Sequence, residues 1–265
     1  MEKIVSKENR QVKYAAKLAE SSRFRREEGM FFLEGARLCA DAWESGIEIF
    51  QFFATPQSME KYEKLAAPCA AAAHKSYEIT QEVSVRLSDT QTPQGIFCIC
   101  KMLDKPPCWN TIKDKGFYLA LENVQDPANL GAAARTGEAL GIDGLLVSGG
   151  CDRYNTKALR ASMGALFRLP LMETDNMPEA IHFAGKIGLK TLACVPDRSA
   201  LSISRINFSS GAVAVIGNEG AGLTADTISA CSYKTTIPMR GRAESLNASM
   251  AAGIVLWEML RPREE

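Results

Sequence analysis

Ala212-Val213-Ala214-Val215-Ile216-Gly217-Asn218-Glu219-Gly220-Ala221-Gly222-Leu223 is the stretch that decides how this chain folds. Its five leading apolar residues suit a strand covered on both faces, the pattern of a parallel sheet rather than of a half-exposed antiparallel one. The strand opens directly into a glycine-rich loop, where backbone amides and carbonyls can come close to a ligand. Neither Gly-x-Gly-x-x-Gly nor Gly-Lys-Ser/Thr fits here, which excludes both the dinucleotide fingerprint and the phosphate loop. Glu219, placed between glycines, would repel a phosphate, so a neutral or cationic ligand is expected.

Upstream, a strand over 117–121 ends in Asn123-Val124-Gln125-Asp126-Pro127-Ala128-Asn129-Leu130-Gly131-Ala132-Ala133-Ala134-Arg135-Thr136-Gly137. A turn rich in Asn, Asp and Pro leads into a helix over 130–140 whose small residues let it lie close to another backbone. Asn129 is placed to accept from the free amides at the helix start, and Arg135 projects from the first two turns. Downstream, a strand over 235–238 runs into the loop Ile237-Pro238-Met239-Arg240-Gly241-Arg242-Ala243-Glu244-Ser245-Leu246-Asn247 and a helix over 247–260. Ser245 and Asn247 mark that helix start, and either could be no more than a cap. Further strands over 144–147 and 191–195 and a helix over 156–163 complete an α/β pattern with a mostly parallel sheet. Ligands should gather at the strands' carboxyl ends.

The first hundred residues read as a smaller α/β unit, with helices over 9–20, 34–45 and 58–73 and strands over 31–33, 47–54 and 95–101, the last alternating with period two. Leu103-Asp104-Lys105-Pro106-Pro107 breaks both periodicities. The expected organisation is therefore a domain over 1–101, a linker over 102–115 and a second domain over 116–265.

The chain has 265 residues, with 31 basic and 31 acidic side chains and a pI near 6.8. That balance excludes a nucleic-acid binder that works by bulk positive charge, but not a local basic face. Candidates for such a face are Lys13, Lys17, Arg23, Arg25 and Arg26, and around the later motifs Arg153, Lys157, Arg160, Arg240 and Arg242. No apolar run approaches the roughly 20 residues of a membrane span. The first ten residues lack a signal peptide's apolar core, so no membrane partner and a cytoplasmic address are expected. Eight cysteines without Cys-x-x-Cys read as buried free thiols. With His74 and His182 the only histidines, no metal site is expected.

The three glycine- and asparagine-bearing blocks, in this order, resemble the three motifs of the SpoU/TrmH family of RNA ribose 2′-O-methyltransferases in the SPOUT superfamily. The first corresponds to Asn129-Leu130-Gly131 through Arg135-Thr136, the second to Gly217-Asn218-Glu219-Gly220 with Gly222-Leu223, and the third to Ile237-Pro238-Met239 with Ser245-Leu246-Asn247-Ala248-Ser249. Ala161 to Pro170 looks like the family's helix-to-strand passage. The first domain is similar to the family's N-terminal substrate-binding domain, most recognisably at Phe32-Leu33-Glu34-Gly35.

The resemblance implies an α/β-knot, a deep trefoil through which the C-terminal segment threads, and an S-adenosylmethionine site made by the knotted loops. Gly217, Asn218, Ile237, Met239 and Leu246, joined by Pro196, would bind the donor. It also implies a homodimer paired through the last helix, with which the apolar Ile254, Leu256, Trp257 and Leu260 are consistent. Arg135 matches the family's catalytic arginine, with Asn129, Glu219, Ser245 and Asn247 positioning it and the ribose. A guanidinium stays protonated in ordinary settings, which favours orientation of the hydroxyl and stabilisation of the alkoxide. The expected substrate is ribosomal RNA. A tRNA methyltransferase of the same superfamily, and a non-catalytic RNA-binding or ribosome-assembly protein on the same scaffold, are the alternatives.

Overall fold

The computed structural model describes residues 1–90, 92–103 and 108–261. They fall into two compact units, Met1–Asp104 with Tyr154–Phe167, and Lys105–Arg153 with Arg168–Glu265. The chain opens with β1 (Glu2–Ile4), α1 (Arg10–Glu20), α2 (Ser22–Glu28), β2 (Met30–Glu34), α3 (Ala36–Glu44), β3 (Ile49–Ala54), α4 (Pro56–Lys61), α5 (Glu63–Ala72), β4 (Lys75–Ile79), α6 (Gln81–Leu87) and β5 (Ile96–Lys101). It continues through β6 (Phe117–Glu122), α7 (Pro127–Leu140), β7 (Gly144–Ser148), α8 (Thr156–Ser162), α9 (Ala165–Arg168), β8 (Leu171–Glu173), α10 (Met177–Lys186), β9 (Lys190–Cys194), β10 (Leu201–Ser202), β11 (Ala212–Ile216), α11 (Ala225–Ala230), β12 (Tyr233–Thr236) and α12 (Ala248–Leu260).

In the first unit, β1-β4-β3-β5-β2 form a mixed sheet. Asn9 caps α1, accepting from Gln11 N at 2.8 Å, and the helix buries Val12, Ala15, Ala16 and Leu18. They join Phe32, Phe53, Tyr77, Phe97 and Ile99 in one core. The alternation expected for 95–101 is absent. Ile96 to Cys100 are all buried, because β5 is flanked by β2 and β3 and covered on both faces. The single helix expected over 58–73 breaks at Tyr62 into α4 and α5, and β1, α2, β4 and α6 escaped the periodicity.

Tyr154–Phe167 groups with this unit, whereas the sequence reading left it inside 116–265. The Phe31 ring meets Tyr154 at 4.7 Å and Phe167 at 6.1 Å, and Arg160 reaches Glu34 at 3.3 Å and Asp89 at 3.6 Å. Of the expected linker, residues 104–107 lie outside the described residues. The rest of it is not a free linker, because Trp109 stands edge-on to Phe183, centroids 5.4 Å apart, within the second unit.

The second unit is built on a seven-stranded sheet in the order β10-β12-β9-β11-β6-β7-β8, and every neighbouring pair is parallel. β11 is buried at all five residues and lies between β9 and β6, as its two-sided apolarity requires. The strand order turns back at β6 and β11, a switch point that opens a crevice at the carboxyl ends. The loops after β6, β9, β11 and β12 all leave from that edge. α12 packs on α7, β11 and β6. Leu256 belongs to this core at 0% exposure, a correction to its expected place on a dimer face, while Trp257 stays 56% exposed. Among the described residues no helix is long and apolar enough to cross a membrane.

Candidate active site

Helix α7 begins earlier than its apolar pattern suggested. Asp126 is the cap, accepting from Ala128 N at 2.9 Å, and Pro127 occupies the first helical turn. This frees Asn129, 5% exposed, from the capping role expected of it. Its Nδ2 donates to Glu219 Oε1 at 2.8 Å, and its Oδ1 accepts from Asn247 Nδ2 at 2.8 Å. One amide thus joins the first motif to the second and the third.

Glu219 is saturated by donors. Besides Asn129 it accepts from Gln125 N and Asp126 N, each at 3.1 Å. Burial pushes its carboxyl up, but the bonds from Asn129 and these backbone amides outweigh that and hold it below the usual range. It remains ionised at neutral pH. Asn247 caps α12 through Oδ1, which accepts from Ser249 N at 2.9 Å and Met250 N at 3.3 Å. The cap and the link to Asn129 use different atoms of one side chain, so the capping role is present and leaves the amide nitrogen free to bridge to the first motif.

The β11 loop is a tight reversal in which Asn218 and Gly222 exchange backbone hydrogen bonds at 3.0 Å. A Cβ on Gly217 would stand 2.3 Å from the Gly222 carbonyl carbon, so glycine is required by the close approach of the backbone. Asn218 Oδ1 accepts from Gly220 N and Ala221 N at 2.9 and 2.8 Å, while its Nδ2 donates to the Asn123 carbonyl at 2.9 Å. The loop's far end is held by Glu122, which accepts from Thr224 N at 2.9 Å and from the hydroxyls of Thr224 and Thr227. Sequence reasoning missed Glu122. An acidic residue closing an apolar strand was the available signal.

These loops enclose a cavity of 700 Å³. Gly217, Asn218, Ile237, Met239, Leu246 and Pro196 all line it, as do Glu219, Ser245 and Asn247. Asn129 and Arg135 do not. Arg135 is exposed on α7 and, among the described residues, has no hydrogen bond or ion pair. β12 ends at Thr236, two residues before the expected strand end, which releases Ile237 to the cavity wall. Cys194 also lines it, and burial pushes its thiol far up, so it presents a neutral S–H. All eight cysteines are free, four of them buried and Cys108 exposed.

Several expected basic contacts are committed elsewhere. Arg25, 2% exposed, donates to the carbonyls of Leu18 and Ala19 at 2.6 and 3.0 Å and is an interior residue. Arg23 pairs with Glu27 at 2.7 Å, Lys13 with Glu8 at 2.5 Å, and Lys17 lies 3.9 Å over the Phe24 ring. Arg153 pairs with Glu173 at 3.6 Å. Lys157 and Arg160 belong to the first compact unit.

With this geometry in place, comparison with known proteins is decisive. Residues 116–257 match the SpoU rRNA Methylase family. The chain belongs to that family. Residues 9–98 match the MRM3-like substrate binding domain. Among relatives of this SpoU methylase, an uncharacterized tRNA/rRNA methyltransferase of Synechocystis is 30% identical, covering 97% of this chain and 93% of that one. The 23S rRNA (guanosine(2553)-2′-O)-methyltransferase RlmP of Bacillus subtilis is 28% identical over 98% and 99% of the two chains. The AdoMet-bound rRNA methyltransferase from Sinorhizobium meliloti superposes with a TM-score of 0.86 at 28% identity, covering 98% of this chain and 97% of that one.

Proposed function

We propose that this SpoU family member transfers a methyl group from S-adenosylmethionine to a ribose 2′-hydroxyl of ribosomal RNA. The observation that carries the reading is Asn129, whose two hydrogen bonds hold Glu219 and Asn247 together at the rim of one cavity. The activities named for the Bacillus subtilis and Sinorhizobium meliloti relatives support the substrate class and the donor.

The cavity fits that donor. Its 700 Å³ falls within the roughly 300–1,000 Å³ of small-molecule sites. Val195, Ile216, Leu223, Ile237 and Leu246 give it apolar walls suited to a purine face, and the Gly217 turn brings backbone groups within reach of its edges. The ionised Glu219 at the rim suits a cationic sulfonium and disfavours a phosphate. Gly217, Asn218, Ile237, Met239, Leu246 and Pro196 would hold the donor. When bound, S-adenosylmethionine supplies an electrophilic methyl group.

The chain's own residues bring the hydroxyl to it. Ser245 and Asn247 line the cavity where a ribose would enter, and Glu219, acting through Asn129, fixes the orientation of Asn247. Such positioning removes much of the barrier to an in-line transfer. Arg135, solvent-facing and without an ion pair among the described residues, is the cation that meets the substrate. Its planar fork of donors orients the hydroxyl and stabilises the developing alkoxide.

Two further features belong to this reading. Met250, Ile254 and Trp257 follow one another at helical spacing on α12 and stay 61%, 39% and 56% exposed, which supports a homodimer paired through that helix. The return of the chain from β12 to α12, over β11 and β6, supports the trefoil knot. Work on ribosomal RNA would place the enzyme in the cytoplasm.

The test is tritiated methyl transfer to an unmodified 23S rRNA transcript, followed by nucleoside analysis. A ribose-methylated nucleoside is expected. A base-methylated product, or none, refutes the proposal. Arg135→Ala should lower transfer by about 10²–10³-fold, the loss typical of a missing transition-state donor. Calorimetry should find donor affinity within a few-fold of the wild type. A parallel loss of donor affinity would give Arg135 a structural role instead.

A further inference from the structure

Beside the donor cavity lies a second one of 1080 Å³, whose walls include Arg198, Leu201, Ser202, Arg205 and Glu244. Pro196, Thr236, Ile237, Met239 and Ser245 line both cavities, so the two share a wall. Neither Arg198 nor Arg205 makes a hydrogen bond or ion pair among the described residues. The same holds for Arg240 and Arg242, exposed on the loop between the lining residues Met239 and Ala243. Apart from Arg135 on α7, the other described arginines of the second unit are committed, Arg153 to Glu173, Arg168 to Glu138 and Arg261 to Glu258. Asp197, the neighbouring acid, is taken by Lys234 at 2.6 Å and by Ser199 at 2.7 Å. Glu244 is the one acidic side chain lining the second cavity among the described residues. In a chain of zero net charge, four uncommitted guanidiniums on two facing loops make a local cationic site.

We infer that this cavity holds the phosphodiester backbone of the single-stranded RNA segment flanking the methylated nucleotide, with Arg198 and Arg205 as its phosphate contacts. The inference rests on the methyl transfer proposed above and extends its substrate site. The guanidinium fork matches phosphate oxygens in pairs. A flanking strand must be splayed for its ribose to be reached, and phosphate contacts set its register. The donor's single carboxylate is the competing anion, but it requires one cation, not an arginine-bearing cavity larger than the donor's own.

The test uses the full chain, the double variant Arg198→Gln/Arg205→Gln, the charge-keeping Arg198→Lys/Arg205→Lys, and a fluorescent 20-nucleotide oligouridylate. For the glutamine pair, oligonucleotide affinity should fall at least tenfold. The slope of log affinity against log salt should become shallower by about 1.4, the share of two single-strand phosphate contacts. Affinity for S-adenosylmethionine should stay within twofold, and the lysine pair should recover most of the slope. Unchanged affinity and slope overturn the inference. So does a parallel loss of donor affinity, which would assign the arginines to the donor's carboxylate, and so does equal failure of the lysine pair, which would make their role one of shape. A wild type that binds the oligonucleotide with the steep slope yet methylates no rRNA would sink the proposed function and leave the groove standing.

Discussion

Asn129 donates one hydrogen bond and accepts another across three separate chain segments, so its chemistry depends on having an amide and no other group of that shape. Asn129→Asp keeps the size but sets a second carboxylate against Glu219. The pair then retains a proton, with a folded pKa raised above the unfolded one. Stability from that shared proton is present at low pH and lost as pH rises. The unfolding free energy of Asn129→Asp, measured by urea denaturation, should therefore fall progressively below that of the wild type between pH 5 and pH 8, reaching a deficit of about 1–3 kcal/mol. A gap independent of pH would contradict the pairing. Glu219 in the wild type behaves in the opposite sense. Against burial, hydrogen bonds from Asn129 and two backbone amides hold its carboxyl below the ordinary carboxylate range, so its contribution is complete above the unfolded pKa and vanishes as pH falls through the depressed one. Glu219→Gln should be less stable than wild type at pH 7, and the difference should close below about pH 4 in acid unfolding followed by circular dichroism. Glu219 and Asn247 stood out in the sequence because polar residues at strand ends and helix starts need partners. Which partners they find was not legible, because Asn129 lies 90 residues from one and 118 from the other.

At the scale of elements, α12 shows where periodicity helps and where it stops. The run 247–260 reads as a helix, yet it is apolar nearly all round, so nothing in its pattern says which side meets the core. Packing on α7, β11 and β6 buries Ala252, Val255, Leu256 and Met259, and leaves Met250, Ile254 and Trp257 outside. Trp257→Glu places a charge on that outer stripe without touching the core. The homodimer proposed above should then dissociate to monomers in sedimentation velocity, with the melting temperature of the monomer changed little. A dimer that persists would move the interface to another surface. The strands divide the same way. β11 was legible because burial on both faces demands an unbroken apolar run. β10, two residues long, and β8, three, are too short to have any period.

For the whole molecule, the grouping of Tyr154–Phe167 with Met1–Asp104 has a practical consequence. A fragment starting at residue 105 strips Tyr154 and Phe167 of the Phe31 ring and Arg160 of Glu34 and Asp89. It should be cleaved within 154–167 by limited proteolysis under conditions that leave the full chain intact. Equal resistance would mean that the segment is held within the second unit alone. By itself the sequence determined the α/β class, the parallel sheet centred on 212–216, the three motif segments and the family, because each depends on local composition and on the order of blocks along the chain. Only the tertiary structure decided that Asn129 bridges rather than caps, that Arg25, Arg153 and Arg160 have partners while Arg198 and Arg205 have none among the described residues, and that a segment within the second half joins the first unit. Pairing and burial depend on neighbours brought together through space, and no local pattern encodes the far partner of a hydrogen bond or an ion pair.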